Sequence, residues 1–219
     1  MRLLFILNLI LTFVITCLVL GCGQAASENL SEEEPKKLED KAVPVVPSHP
    51  IVGAARSQIG KTIIYDGAYV GLDYPGGDIP LERGVCTDVV VRALRKGHHL
   101  DLQKMLYMDM SRAFAAYPTI WGLKRPDRNI DHRRVPNLRT FFERMGYGLE
   151  ITSNPEHFQP GDLVTCTVGG NRPHIMIVSD RKSPKEVPFV IHNIGRGTQE
   201  EDLLFAFPIT GHYRIPERE

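Results

Sequence analysis

Cys86 stands in Gly84-Val85-Cys86-Thr87-Asp88-Val89-Val90-Val91-Arg92-Ala93-Leu94, where a loop gives way to a helical pattern. Two histidines follow in strand-like runs, His174 in Pro-His-Ile-Met-Ile-Val-Ser and His192 in Pro-Phe-Val-Ile-His-Asn. A thiol, a histidine to take its proton and a polar residue to orient that histidine are the parts of a cysteine hydrolase. A free thiol is mostly protonated at neutral pH, and helix N–H groups or a neighbouring base lower its pKa. A helix opening at Cys86 therefore predicts a depressed thiol pKa, and its N–H groups could hold an oxyanion. His174 is predicted as the general base. His192 would accept from one ring N–H of His174 and fix its tautomer, leaving the other nitrogen for the thiol. Asn193 is a rival for that role, but alternation turns it to the opposite strand face. Cys166 lies in Leu163-Val164-Thr165-Cys166-Thr167-Val168, a β-type run with no helix start, and reads as structural. A Cys86–Cys166 disulfide would end the enzymatic reading.

These residues need helices first and strands later. A helix is expected over 52–59 with Gly60 as its stop, then a short extended piece over 61–65 and a glycine-rich loop to Gly84. The helix after Cys86 carries Val89, Val90, Ala93 and Leu94 at three- and four-residue spacings and ends at Gly97. Asp101 is a good N-cap for the next helix, and Pro136 suits the first turn of another that Gly146 stops. Short extended runs then span 148–152, 162–168, 174–179, 189–193, 203–207 and 212–215. The third and fourth should pair as a hairpin carrying both histidines. The pattern predicts an α+β domain with N-terminal helices on a C-terminal antiparallel sheet.

The first 21 residues look like a bacterial lipoprotein signal: Arg2, an apolar run to Leu20, then Gly21-Cys22. Cys22 would carry the lipid and anchor the chain to the membrane, facing the periplasm, and Gly23 after it resembles outer-membrane sorting. Residues 22–50, crowded with Glu28, Glu32, Glu33, Glu34, Lys36 and Lys37 and ending in Pro44, Pro47 and Pro50, read as a tether. Residues 51–219 then form one domain with 22 basic and 20 acidic side chains, so bulk charge gives no case for nucleic-acid binding. A monomer is expected.

Asp127-Arg128-Asn129-Ile130-Asp131 has the spacing of a calcium loop. His132 stands where glycine belongs, however, and Leu138 where the closing Glu belongs, so loop structure is the reading. Asp131, His132 and Arg133 remain candidates for substrate binding. No paired His or Cys spacing predicts a metal, and no cofactor is implied.

In order, Tyr65, Cys86, Gly161-Asp162-Leu163-Val164, His174-Ile175-Met176-Ile177-Val178 and Phe189-Val190-Ile191-His192 resemble the NlpC-type murein cysteine peptidases. That resemblance implies a reduced papain-like fold, with Cys86, His174 and His192 as catalytic residues; Tyr65, and Thr87 and Asp88 beside the thiol, are candidates for the oxyanion site or a subsite. More closely, Gly-Val-Cys-Thr-Asp-Val-Val, Asn129–Val135, His192-Asn193-Ile194-Gly195 and Gly211-His212-Tyr213-Arg214 resemble the bacterial family called domain of unknown function 1287. The peptidases usually read Asp-Cys-Ser-Gly-Phe where this chain has Val-Cys-Thr-Asp-Val. The expectation is a lipid-anchored envelope cysteine hydrolase that cuts an amide in cell-wall peptide through a thioester. The alternatives are an amidase, esterase or acyltransferase on another envelope substrate, or a non-catalytic envelope-binding lipoprotein.

Overall fold

A computed structural model describes residues 48–216. The expected signal segment, the expected lipidation site Cys22 and the expected tether up to residue 47 lie outside the described residues. No described helix is long and apolar enough to cross a membrane.

Within the described residues, four α-helices and an antiparallel sheet make a mixed α+β fold. Helix α1 spans Pro50–Arg56 and buries Ile51, Val52, Ala54 and Ala55. It begins earlier than expected because Pro50 fits the first turn, where a missing N–H costs nothing. Strands β1 (Ile64–Tyr65) and β2 (Arg83–Gly84) form a short parallel pair just before α2 (Cys86–His98). Helix α3 (Leu102–Ala113) is capped by Asp101, whose side chain accepts from the Lys104 amide. Helix α4 (Val135–Arg144) carries Pro136 in its first turn.

The sheet consists of β3 (Gly148–Leu149), β4 (Leu163–Val168), β5 (Arg172–Lys182), β6 (Pro188–Asn193), β7 (Thr198–Glu201) and β8 (Ile209–Tyr213). Their spatial order is β3-β8-β4-β5-β6-β7. The central strand β5 is covered on both faces, which explains its unbroken apolar run. Ile175 and Ile177 join the helix-side core with Val89, Leu94, Phe141 and Tyr213. Met176 and Val178 join a second core with Val164, Val190, Phe158 and Leu204 on the far face. Each such large side chain taken from water contributes about 1.5–3 kcal/mol.

In this sheet, among the described residues, one expected strand is absent and one unexpected strand is present. Residues 203–207 form turns whose apolar side chains (Leu203, Leu204, Phe207) close the far-side core, so their hydrophobicity reflects burial rather than sheet pairing. The strand is instead Thr198–Glu201, a polar edge strand held by its backbone ladder to β6. Gly197 at the turn into it has φ +82°, and a Cβ there would stand 2.7 Å from the Thr62 carbonyl oxygen. Only glycine fits that approach, which also lets the Thr198 amide donate to the same carbonyl.

Candidate functional site

Helix α2 opens at Cys86 because β2 and the extended Val85 deliver the chain there, and Asp88 caps the turn. Its Oδ2 accepts from the Val85 amide at 2.7 Å. This is the N3-to-N-cap half of a capping box; Val85 has no side-chain acceptor for the other half. Asn193, at the end of β6, donates from Nδ2 to the Gly84 carbonyl at 2.9 Å and ties the strand to the approach to the thiol.

Cys86 is 5% exposed and packs on the helix side with Ile175, Ile177 and Ile191. By strand alternation His174 and His192 share the opposite face with Met176 and Val190. At this end, the last β5–β6 pair is Ile177 with Ile191, and beyond it the Ile175 amide turns to donate to the Cys86 sulfur. The thiol therefore lies against the backbone one residue past His174. Among the described residues no hydrogen bond joins Sγ to an imidazole nitrogen. The histidines themselves meet as the sequence led one to expect: His174 Nε2 is 2.8 Å from His192 Nδ1, with the rings edge to face.

The thiol departs from expectation. Burial, reinforced by the Asp88 carboxylate, pushes Cys86 up to about 12, although the Ile175 and Thr87 amides pull the other way. The expected depression at a helix start fails because burial of the sulfur, with an acidic residue in the first turn added to it, outweighs the helix N–H groups. Burial likewise pushes His174 down to about 3, with His192 adding to the shift. The resting pair is a thiol and a neutral imidazole. Cys166, paired across the ladder with His174, is a second free, buried thiol raised to about 11 by burial. No disulfide joins the two.

Beside Cys86 opens a cleft of about 610 Å³ bounded by Tyr65, Tyr69, Ile120, Trp121, Arg134 and Pro173. Tyr65 faces it, and burial together with the nearby Cys86 and Asp88 raises its phenol pKa, so it remains a donor. Arg134 lies over the Trp121 ring at 4.2 Å and pairs with Asp131 at 3.0 Å. A second hollow of about 690 Å³ shares Tyr69 and is edged by Lys124, Arg125 and Arg128.

Several candidates have structural duties instead. The Asp88 carboxylate, 5% exposed, is spent on the Val85 amide and on a two-pronged ion pair with Arg133 at 2.8 and 3.0 Å, so it forms no subsite. Arg133 borders the cleft but also donates to the carbonyls of Asp66 and Ala68, which fastens the loop after Tyr65. Thr87 Oγ1 donates to the Arg133 carbonyl. Asp131 is buried and accepts from the Asp127 amide, Arg134 and Asn137, while His132 is buried behind the cleft wall. Neither is placed to touch a substrate.

Two residues were missed. Glu201 Oε2 lies 3.1 Å from His192 Nε2, and Arg196 Nη2 lies 2.6 Å from the other carboxylate oxygen. Both sit on or beside β7, the strand that polarity concealed. The signal available was the glycine pair Gly195 and Gly197 after a strand, which marks a tight return.

Comparison with known proteins places this geometry in a lineage. The model of the family described as Domain of unknown function (DUF1287) matches residues 52–215. The chain belongs to the DUF1287 family. Uncharacterized protein YijF of Escherichia coli (strain K12) is 54% identical over 164 residues, which cover 75% of this chain and 80% of that one. The DUF1287 match runs from within α1 through β8, and covers Cys86, both strand histidines and Glu201.

The buried histidines set the stability of this domain against pH. His174 titrates near 3 and His132 near 4 in the fold, against 6.5 ordinarily, and burial lowers His192 too. Below pH 6.5 the unfolded chain takes up protons that the folded chain refuses, so stability falls as pH falls towards about 4. Cys86 works in reverse. The unfolded thiol ionises near 9 and the folded one near 12, so stability is lost as pH rises between them. Denaturant midpoints measured across pH should plateau between about 6.5 and 9. A midpoint that rises on going from pH 6.5 to 5 contradicts this account.

Proposed function

We propose that this DUF1287 protein is a lipid-anchored envelope cysteine hydrolase of NlpC-type, papain-like construction that cleaves an amide in cell-wall peptide. The observation that supports it most is Cys86 at the first turn of α2, walling an open cleft and lying one residue from His174, which is in turn hydrogen-bonded to His192. In the reaction Sγ attacks the amide carbonyl carbon as its proton passes to His174 Nδ1, the ring nitrogen not engaged with His192. The two charges form together and stabilise each other, so neither needs to exist in the resting site. The tetrahedral oxyanion takes N–H groups of the α2 first turn and the Tyr65 hydroxyl. Collapse expels the amine, which leaves with the proton from His174, and a thioester remains. Water, deprotonated by the same nitrogen, attacks the thioester and returns the acid product and the thiol.

The cleft suits such a substrate. Tyr65, Ile120 and Trp121 give apolar walls for a peptide backbone and short side chains. The adjoining hollow offers Lys124, Arg125 and Arg128 to carboxylates, which cell-wall peptides carry in number. Incubating the full chain with soluble muropeptides and following product masses tests the proposal. Gain of one water at a peptide bond supports it. Unchanged muropeptides that nevertheless bind the chain favour the envelope-binding lipoprotein instead. A Lys124→Glu/Arg125→Glu chain should raise KM for a carboxylate-rich muropeptide about tenfold while kcat stays within about twofold, since those side chains touch the substrate away from the reacting bond. Equal KM values for the two chains would remove the hollow from the binding site.

A further inference from the structure

His192 is engaged through both ring nitrogens, and the outer contact fixes the inner one. On the outer side Nε2 meets Glu201 Oε2 at 3.1 Å, while Arg196 holds Oε1 at 2.6 Å. A carboxylate paired with arginine is ionised and can only accept, so the proton between His192 and Glu201 sits on Nε2. A neutral imidazole has one N–H. His192 Nδ1 is then an acceptor, and the proton in its 2.8 Å contact belongs to His174 Nε2. The same count leaves His174 Nδ1 with its lone pair. His192 is fully buried and burial lowers its pKa, which keeps the ring neutral as this count requires.

We propose that Glu201, steadied by Arg196, is a positioning residue that sets the tautomers of His192 and, through it, of His174, and so leaves His174 Nδ1 unprotonated for Cys86. The last clause rests on the hydrolase reading; the tautomers themselves do not. The opposite arrangement is a blocked site. With the proton on His192 Nδ1, that nitrogen donates to His174 Nε2, and His174 must carry its own proton on Nδ1, where no lone pair is left to receive one. Geometry favours Glu201 for this task because β7 pairs it with Val190, on the strand face of His192, where a long side chain reaches the diagonal neighbour.

Substitution by glutamine makes a sharp test. In Glu201→Gln, Arg196 draws the amide oxygen of the new side chain and turns its NH₂ to His192 Nε2, which then has to accept, and the row of protons reverses. Long-range ¹H–¹⁵N correlation of the histidine rings reads the tautomers directly in the full, histidine-labelled chain. The natural protein should show His174 and His192 both protonated on Nε2, and Glu201→Gln should lose those Nε2–H signals for Nδ1–H. Glu201→Asp keeps a carboxylate and should retain the natural pattern in part. Unchanged His132 and His212 signals report that the fold is intact. Natural rings protonated on Nδ1, or identical tautomers in the natural and Glu201→Gln chains, overturn the proposal. The spectra do not depend on Cys86 chemistry, so an inactive protein with the stated tautomers sinks the hydrolase reading alone. With hydrolysis established, Glu201→Gln should lower kcat about 10- to 100-fold with KM little changed.

Discussion

On the proposed hydrolase reading, Cys86→Ala should keep its fold and lose muropeptide hydrolysis by at least about 10³-fold, an effect carried by kcat. No neighbouring group can substitute for the lost sulfur. Cys166, the other thiol of the domain, lies on the far face of the sheet, fully buried in the second core, and has no helix start to stabilise an attacking anion. Water in the cleft would lack the covalent step that divides one difficult reaction into two easier ones. The structural cost is small by comparison. Removing one buried sulfur from a wall that opens on the cleft costs about 1 kcal/mol, within the common range for point substitutions. Circular dichroism and denaturant midpoints therefore separate loss of chemistry from loss of fold. Cys86→Ser should be nearly as inactive, because an alkoxide beside a histidine of such low basicity forms far less readily than a thiolate. Rates within about tenfold of the natural chain for the alanine variant would dismiss the thioester mechanism.

What the sequence could disclose followed the range of the physics. Local chemistry was legible: Asp101 as a cap, Pro136 in a first turn, Gly146 as a stop, and the change from loop to helix at Cys86 are all decided within a few residues. The pairing of the two histidine strands was legible too, because a short polar connection between apolar runs favours a hairpin. The pKa of Cys86 was not, since it depends on how much protein covers the sulfur, a tertiary quantity that overruled the helix terminus. Strand β7 escaped because an edge strand needs no apolar side chains, and with it went Glu201. Leu204 and Leu203 misled for the converse reason: their apolarity serves a core beneath the sheet rather than a ladder. Asp88 was noticed beside the thiol but assigned to the substrate. Its position three residues after the extended Val85 is the local mark of a cap, and only the partner 45 residues away shows why it is buried.

Arg133→Met should destabilise the domain by about 3–5 kcal/mol. The ion pair joins Arg133 Nε and Nη2 to both oxygens of Asp88, and both side chains are almost wholly screened from water. Taking away the guanidinium leaves a carboxylate buried without its countercharge, and it also orphans the Asp66 and Ala68 carbonyls. Asp88→Leu alone strands a buried arginine and should cost a similar amount, with the added loss of the Val85 cap. The two exchanges together should cost clearly less than their sum, because apolar groups of like size replace a buried ion pair at little net expense. Denaturant unfolding of the four chains gives the coupling directly. A sum of single effects equal to the double effect would show that the pair contributes nothing as a pair. The cycle also bears on function, since Asp88 holds the turn that presents Cys86 and Arg133 holds the loop that follows Tyr65. A double variant that recovers stability without recovering hydrolysis would assign the pair to the shape of the cleft, beyond its part in holding the fold.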